Sequence, residues 1–86
     1  MQTRVAVIGI IVENPESVER LNALLHDFAP HIIGRMGIPY RERGVNVISI
    51  AVDAPQDMTS ALAGQIGAIE GVSCKTAYSS VTSDSE

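Results

Sequence analysis

One cysteine, no tryptophan, two tyrosines and a single phenylalanine leave this chain short of the residues that brace many small domains. With Cys74 alone, no intramolecular disulfide can form, and a disulfide-framed secreted module is excluded. With aromatics at 3% of the chain, Val, Ile, Leu and Ala must fill the core. Positive charge is scarce too: six Lys and Arg stand against ten Asp and Glu, for a formal net charge of −4. Such a chain has no overall field to draw phosphate backbones or anionic lipid, so neither direct nucleic-acid binding nor a membrane partner is expected. Long apolar runs are missing. The longest, Val5 to Val12, falls far short of the roughly 20 residues a bilayer span requires. Arg4 gives it a thin basic flank, as in a signal peptide, but Glu13-Asn14-Pro15-Glu16 follows at once and no small-residue cleavage site appears. The run reads as a strand, and the chain as cytoplasmic.

What is present is enough for one compact domain. The chain has 86 residues, of which 45% are hydrophobic, so it is no disordered segment. Val5 to Glu13 is apolar at nearly every position, as in a strand covered on both faces. Asn14 and Pro15 then suit the cap and first position of a helix, with Glu16 and Glu19 at its positive end. Val18, Leu21, Leu25 and Phe28 recur at helical spacing, and Pro30 ends the run. From His31 to Glu42, Ile32, Met36, Ile38 and Tyr40 alternate with Arg35, Gly37, Pro39 and Arg41, which predicts a second strand. Pro39 cannot donate to a ladder, so this strand belongs at a sheet edge. A charged turn, Arg41-Glu42-Arg43-Gly44, leads into a third strand over Val45 to Val52. Asp53 and Gln56 have the spacing of a capping box for a second helix. Met58, Leu62, Ile66 and Ile69 form its stripe, and Gly71 marks its stop. Val72 to Tyr78 makes a fourth strand. Residues 79–86 form a polar tail that either extends the strand or frays.

The order β-α-β-β-α-β predicts an α+β, ferredoxin-like sandwich over residues 1–78, with a four-stranded antiparallel sheet in the order 4-1-3-2 and both helices on one face. That layout exposes a surplus. Only one side of each central strand can lie under the helices. Val5, Val7, Gly9 and Ile11 of the first strand, with Val47, Ser49 and Ala51 of the third, would then form a contiguous apolar patch on the open face. Soluble monomers rarely expose such patches, so a second copy of the chain is the expected cover.

The segments Leu21-Asn-Ala-Leu-Leu-His26, Arg35-Met-Gly37-Ile-Pro39-Tyr-Arg41-Glu42 and Ala61-Leu-Ala-Gly64-Gln-Ile-Gly67, with Gly71-Val72 and Lys75-Thr76, resemble a family of short proteins named iron-only hydrogenase system regulators. The resemblance spans Val5 to Thr76. It implies a ferredoxin-like domain akin to ACT domains and to the C-terminal sensing domain of nickel-responsive repressors. It also implies a regulatory role tied to iron-only hydrogenase. Two departures bear on that role. ACT domains that bind amino acids usually carry Gly after the Pro of the first strand-to-helix turn, whereas this chain has Pro15-Glu16. No ribbon–helix–helix module precedes the first strand, so control of transcription would have to run through a protein partner.

Candidate chemistry is sparse. His26, His31 and Cys74 are soft ligands, but their spacing matches no metal motif, and no metal or other cofactor is expected. A helix-end imidazole and a buried structural thiol are the simpler roles. Arg35 and Arg41 share a face of the second strand and could hold a carboxylate or phosphate; a charged edge that discourages strand pairing is the preferred alternative. Ala61, Gly64, Gly67 and Ala68 give the second helix a small face, suited to close packing within the domain or to an interface. No nucleophile–base pair, phosphate loop or paired acids suggest an enzyme. The residues therefore favour a non-catalytic regulatory or ligand-sensing module acting as a homo-oligomer. A structural adaptor that binds another protein is the second reading, and a small ferredoxin-like dimeric enzyme the third.

Overall fold

The computed structural model describes residues 2–84. Four strands and two α-helices follow in the expected order: β1 (Gln2–Val12), α1 (Val18–Asp27), β2 (Ile32–Tyr40), β3 (Val45–Ala54), α2 (Gln56–Gly67) and β4 (Val72–Asp84). The sheet order is β2-β3-β1-β4, and every pairing is antiparallel. This is the ferredoxin-like α+β sandwich, and Pro39 does sit on an edge strand. No helix among the described residues is long and apolar enough to cross a membrane.

Alternation along the central strands decides which side chains meet the helices. Ala6, Ile8, Ile10 and Val12 of β1 and Ile48, Ile50 and Val52 of β3 are buried, and they pack with Leu21 and Leu25 of α1 and Leu62 and Ile66 of α2. Val18 and Phe28 flank the α1 stripe as half-buried neighbours. The core is aliphatic throughout, as the shortage of aromatics requires.

The two strand-to-helix entries differ. The Asn14 side chain accepts a hydrogen bond from the Glu16 amide at 3.1 Å, and Pro15 opens a short 3-10 turn (Pro15–Ser17) that leads into α1. The capping box expected from Asp53 and Gln56 does not form. Strand β3 runs on to Ala54, which is fully buried, and Asp53 pairs with Val5 inside the ladder. Pro55 takes the cap position instead, with its carbonyl accepting from the amides of Met58 and Thr59. The ladder pairing of Asp53 and the burial of Ala54 take the place of a side-chain cap. Pro30 lies in a second 3-10 turn (Ala29–His31), since α1 already ends at Asp27.

Helix α2 also buries a residue outside its expected stripe. Thr59 is fully buried while Met58 is only half so, and the Thr59 hydroxyl has no hydrogen-bond partner. A hydroxyl stripped of water without compensation costs about 1–3 kcal/mol. Thr59→Val, which keeps the shape and removes that group, is expected to raise stability by about 1 kcal/mol in urea unfolding. An unchanged or lower midpoint would mean that the hydroxyl is satisfied in solution.

Two bulges offset the ladder. Ile33 is an extra residue between the pairs Ile32–Val52 and Gly34–Ala51, so Ile32 turns to the helix side while Gly34, Met36, Ile38 and Tyr40 face the other way. On β4, residues 79–81 stand against the single residue Val5 between the pairs Ala6–Tyr78 and Arg4–Thr82, and the Ser79 hydroxyl accepts a hydrogen bond from the Val81 amide at 3.0 Å. Beyond this bulge the segment read as a polar tail continues as strand, pairing through Asp84 with Gln2. Residues 85–86 of that tail lie outside the described residues.

Candidate functional site

The open sheet face is built in rows by the register. Ile38, Val47, Ile11 and Ser73 stand side by side across the four strands; Met36, Ser49, Gly9 and Lys75 form the next row; Gly34, Ala51, Val7 and Ala77 the one after. Val5 and Asp53 close one end, Tyr40 and Val45 the other. All seven residues expected on this face (Val5, Val7, Gly9, Ile11, Val47, Ser49 and Ala51) lie there. Sequence reading missed the contribution of β2. With its bulge, this edge strand adds Met36, Ile38 and Tyr40 to the same face. Val5, Val7, Ile11, Val47 and these three are between 37% and 59% exposed, an unusual density of large apolar side chains facing water. Only Lys75 and Asp53, at its margins, bring charge to these rows. Gly9 and Ser49 leave a shallow furrow beside the ridge of Ile38, Val47 and Ile11.

The two arginines part company. Arg35 lies mid-strand on β2, opposite the buried Ile50, and so points to the helix side of the sheet. Its Nη2 donates to Asn22 Oδ1 of α1 at 2.6 Å. Together they line a cleft of about 410 Å³ with Leu25, His26, Ala29 and Ile32. Arg41 falls after the end of β2, in the turn, and lines a different hollow with Pro15, Pro39 and Gly44. In place of the expected pairing of Arg35 with Arg41 on one strand face, Arg35 bonds Asn22 and shares its cleft with His26. The strand stops at Tyr40 because Arg41 to Gly44 form the turn, where Gly44 has a φ of +66° and Tyr40 Oη bonds Glu42.

His26, His31 and Cys74 are not gathered. His26 is exposed in the last turn of α1, and His31 lies against the Phe28 ring with centroids 5.2 Å apart. Cys74 is on β4, at the opposite edge of the sheet, with its thiol donating to the Ala63 carbonyl at 3.4 Å. Burial pushes this thiol above the ordinary range, partly opposed by neighbouring Lys75, so it is a poor thiolate. No group of three or more His, Cys, Asp or Glu able to hold a metal occurs among the described residues. The small face of α2 divides as well: Gly64 is exposed with open space beside it, while Gly67 lies over Cys74 Sγ.

The corner between β1 and α1 is closed. The Glu13 amide donates to the Gly71 carbonyl at 2.7 Å, and the Ser17 hydroxyl donates to the Glu70 carbonyl. Gly71 has a φ of +74°, and its Cα abuts Asn14 so closely that a Cβ there would lie 2.6 Å from Asn14 Cβ. This contact ties the entry of α1 to the exit of α2.

With this geometry in hand, residues 4–76 match the model of a family described as "TM1266-like: Iron-only hydrogenase system regulator, putative". The chain belongs to this family. Among solved structures it is similar to the uncharacterized protein TM1266 from Thermotoga maritima, at 32% identity and a TM-score of 0.85, over 88% of this chain and 96% of that one. No curated protein matches. The family's description assigns its members to regulation of the iron-only hydrogenase system. It fits the resemblance carried by the Arg35-to-Glu42 and Ala61-to-Gly67 segments.

Proposed function

We propose that this chain is a non-catalytic regulatory or ligand-sensing module of the iron-only hydrogenase system, cytoplasmic, and active as a homo-oligomer joined through its open sheet face. The observation that carries the reading is the apolar face itself. Seven large apolar side chains on three adjacent strands stand in water in a single copy of the chain. A face of this kind, if matched by an identical one, would bury on the order of 500–800 Å² per partner, near the lower range of specific interfaces. The furrow at Gly9 and Ser49 beside the ridge at Ile11 and Val47 allows two such faces to interlock. The regulatory half of the reading rests on the family's description. An acidic chain of this kind would exert such control through a protein partner rather than by holding DNA itself.

Sedimentation of the purified protein at micromolar concentration tests the assembly. A discrete dimer or higher species is expected. A monomer there would remove self-association and favour the adaptor reading, in which the same face receives a different protein. Native mass spectrometry of freshly purified material adds stoichiometry and any retained small molecule.

A further inference from the structure

We infer that the cleft between α1 and β2 binds a small organic carboxylate, with the anionic head on Arg35 and a short apolar tail on Leu25, Ala29 and Ile32. The site is distinct from the assembly face, because alternation on β2 sends Arg35 to one side of the sheet and Met36 to the other. It deepens the ligand-sensing part of the proposed function by naming where and what the module binds.

Three features of the cleft define the ligand. Its lining contains no carboxylate, and its only groups able to carry charge are Arg35 and His26, both cationic when charged. In a chain of net charge −4, that is a local reversal of sign. Second, the guanidinium already has a partner across the cleft. One Nη donates to Asn22 Oδ1, while a guanidinium has five N–H donors, so four remain for an incoming anion. The Asn22 amide nitrogen adds a further donor beside it. A planar fork already engaged by one neighbour loses less side-chain freedom on receiving a carboxylate than a free one would. Third, the floor is apolar. Leu25 is buried in the core, Ile32 is packed against it, and Ala29 closes the side. Inorganic phosphate would leave oxygens facing that floor without partners, whereas a carboxylate with a short alkyl tail satisfies both ends. A cleft of about 410 Å³ suits a molecule of this size.

The test is an amide NMR titration of the full chain with butyrate as the probe, and with acetate, inorganic phosphate and butylamine in parallel. Saturable shifts clustered at Asn22, His26, Ala29 and Arg35 are expected with butyrate, weaker ones with acetate, and none that saturate with butylamine. Arg35→Gln is expected to raise the butyrate dissociation constant about 10–100-fold, the loss of a charge-assisted hydrogen bond. Because Arg35 is exposed on an edge strand, its fold should be retained, and an unchanged spectrum elsewhere verifies this. Arg35→Lys, which keeps the charge without the planar fork, should recover only part of the affinity. Shifts that never saturate, equal binding of phosphate and butyrate, or full butyrate binding by Arg35→Gln would each overturn the proposal. Its failure and that of the assembly are separable. A protein that sediments as an oligomer but ignores butyrate loses only the cleft, and a monomer that binds butyrate loses only the interface.

Discussion

Val7→Asp is expected to turn the assembling protein into a folded monomer. Val7 stands in the middle of the open face, between Ala51 and Ala77, and is 43% exposed in a single copy. In that state an aspartate there stays in contact with water and costs the fold little beyond a weaker β-propensity. In the assembly it would be a carboxylate pressed into an apolar contact without a partner. A penalty of about 3 kcal/mol or more follows, enough to raise the dissociation constant over 100-fold. Val47→Asp, in the adjoining ridge, should act in the same way. Circular dichroism and sedimentation on the same samples separate the outcomes. A folded monomer supports the open face as the interface. An oligomer unchanged in mass, with both variants folded, places the interface elsewhere. Loss of fold in both would mean that the single copy cannot stand alone, and Gly9→Val then provides the remaining check. A Cβ at Gly9 would come no nearer than 4.0 Å to the rest of the chain, at the Lys75 carbonyl, so a side chain there is expected to spare the fold and act on assembly.

Gly71→Ala is expected to lower stability by about 2–4 kcal/mol. Part of this is the left-handed backbone, which disfavours any residue with a Cβ by about 1–2 kcal/mol. The rest is collision. The new methyl would lie 2.6 Å from Asn14 Cβ and 3.2 Å from the Asn14 amide nitrogen, and neither belongs to a side-chain tip that could swing away. Relief requires moving the entry of α1 away from the exit of α2, which strains the Glu13–Gly71 and Ser17–Glu70 hydrogen bonds. In a domain of this size, such a loss lowers the melting temperature by roughly 10–25 °C. Gly44→Ala is the internal control. Gly44 has a similar φ of +66° but open space around it, so only the backbone cost of about 1–2 kcal/mol should appear. Equal melting temperatures for the two variants would show that contact with Asn14 contributes nothing.

The fold was legible in this sequence because its signals are local and agree with one another. Apolar central strands, the Asn14-Pro15 entry, the edge proline and the two turn glycines each have a direct physical meaning. All of them reappear in the structure. What escaped were offsets. The extra residue at Ile33 reverses the facing of Ile32 against Met36, and a period-two reading has no means of detecting a bulge without seeing the partner strand. The same limit hid the share of Met36, Ile38 and Tyr40 in the open face. The Asp53–Gln56 spacing has the form of a capping box, yet the burial of Ala54 keeps Asp53 in the ladder, and burial is a tertiary property. Arg35 was singled out for its charge, but its partner was misread. Asn22 lies 13 positions earlier on another element, and only the packing of α1 beside β2 brings the two together.

The pairing of β1 with β4 carries one more implication, for how this chain can be re-engineered. Gln2 and Asp84 are register partners, so the two ends of the described chain lie side by side at one edge of the molecule. A short glycine–serine linker can join them without crossing the core, and the Arg41–Gly44 turn, exposed throughout, offers a place to open the chain. Such a circular permutant keeps every strand pair and both helices. It also converts β2 and β3 from a hairpin into the two terminal strands of the chain, so closing the ladder between them becomes a long-range event. Joining the ends at the same time turns β4 and β1, the pair farthest apart in the sequence, into a hairpin, so the permutant would reach the same architecture with its local and long-range pairings exchanged.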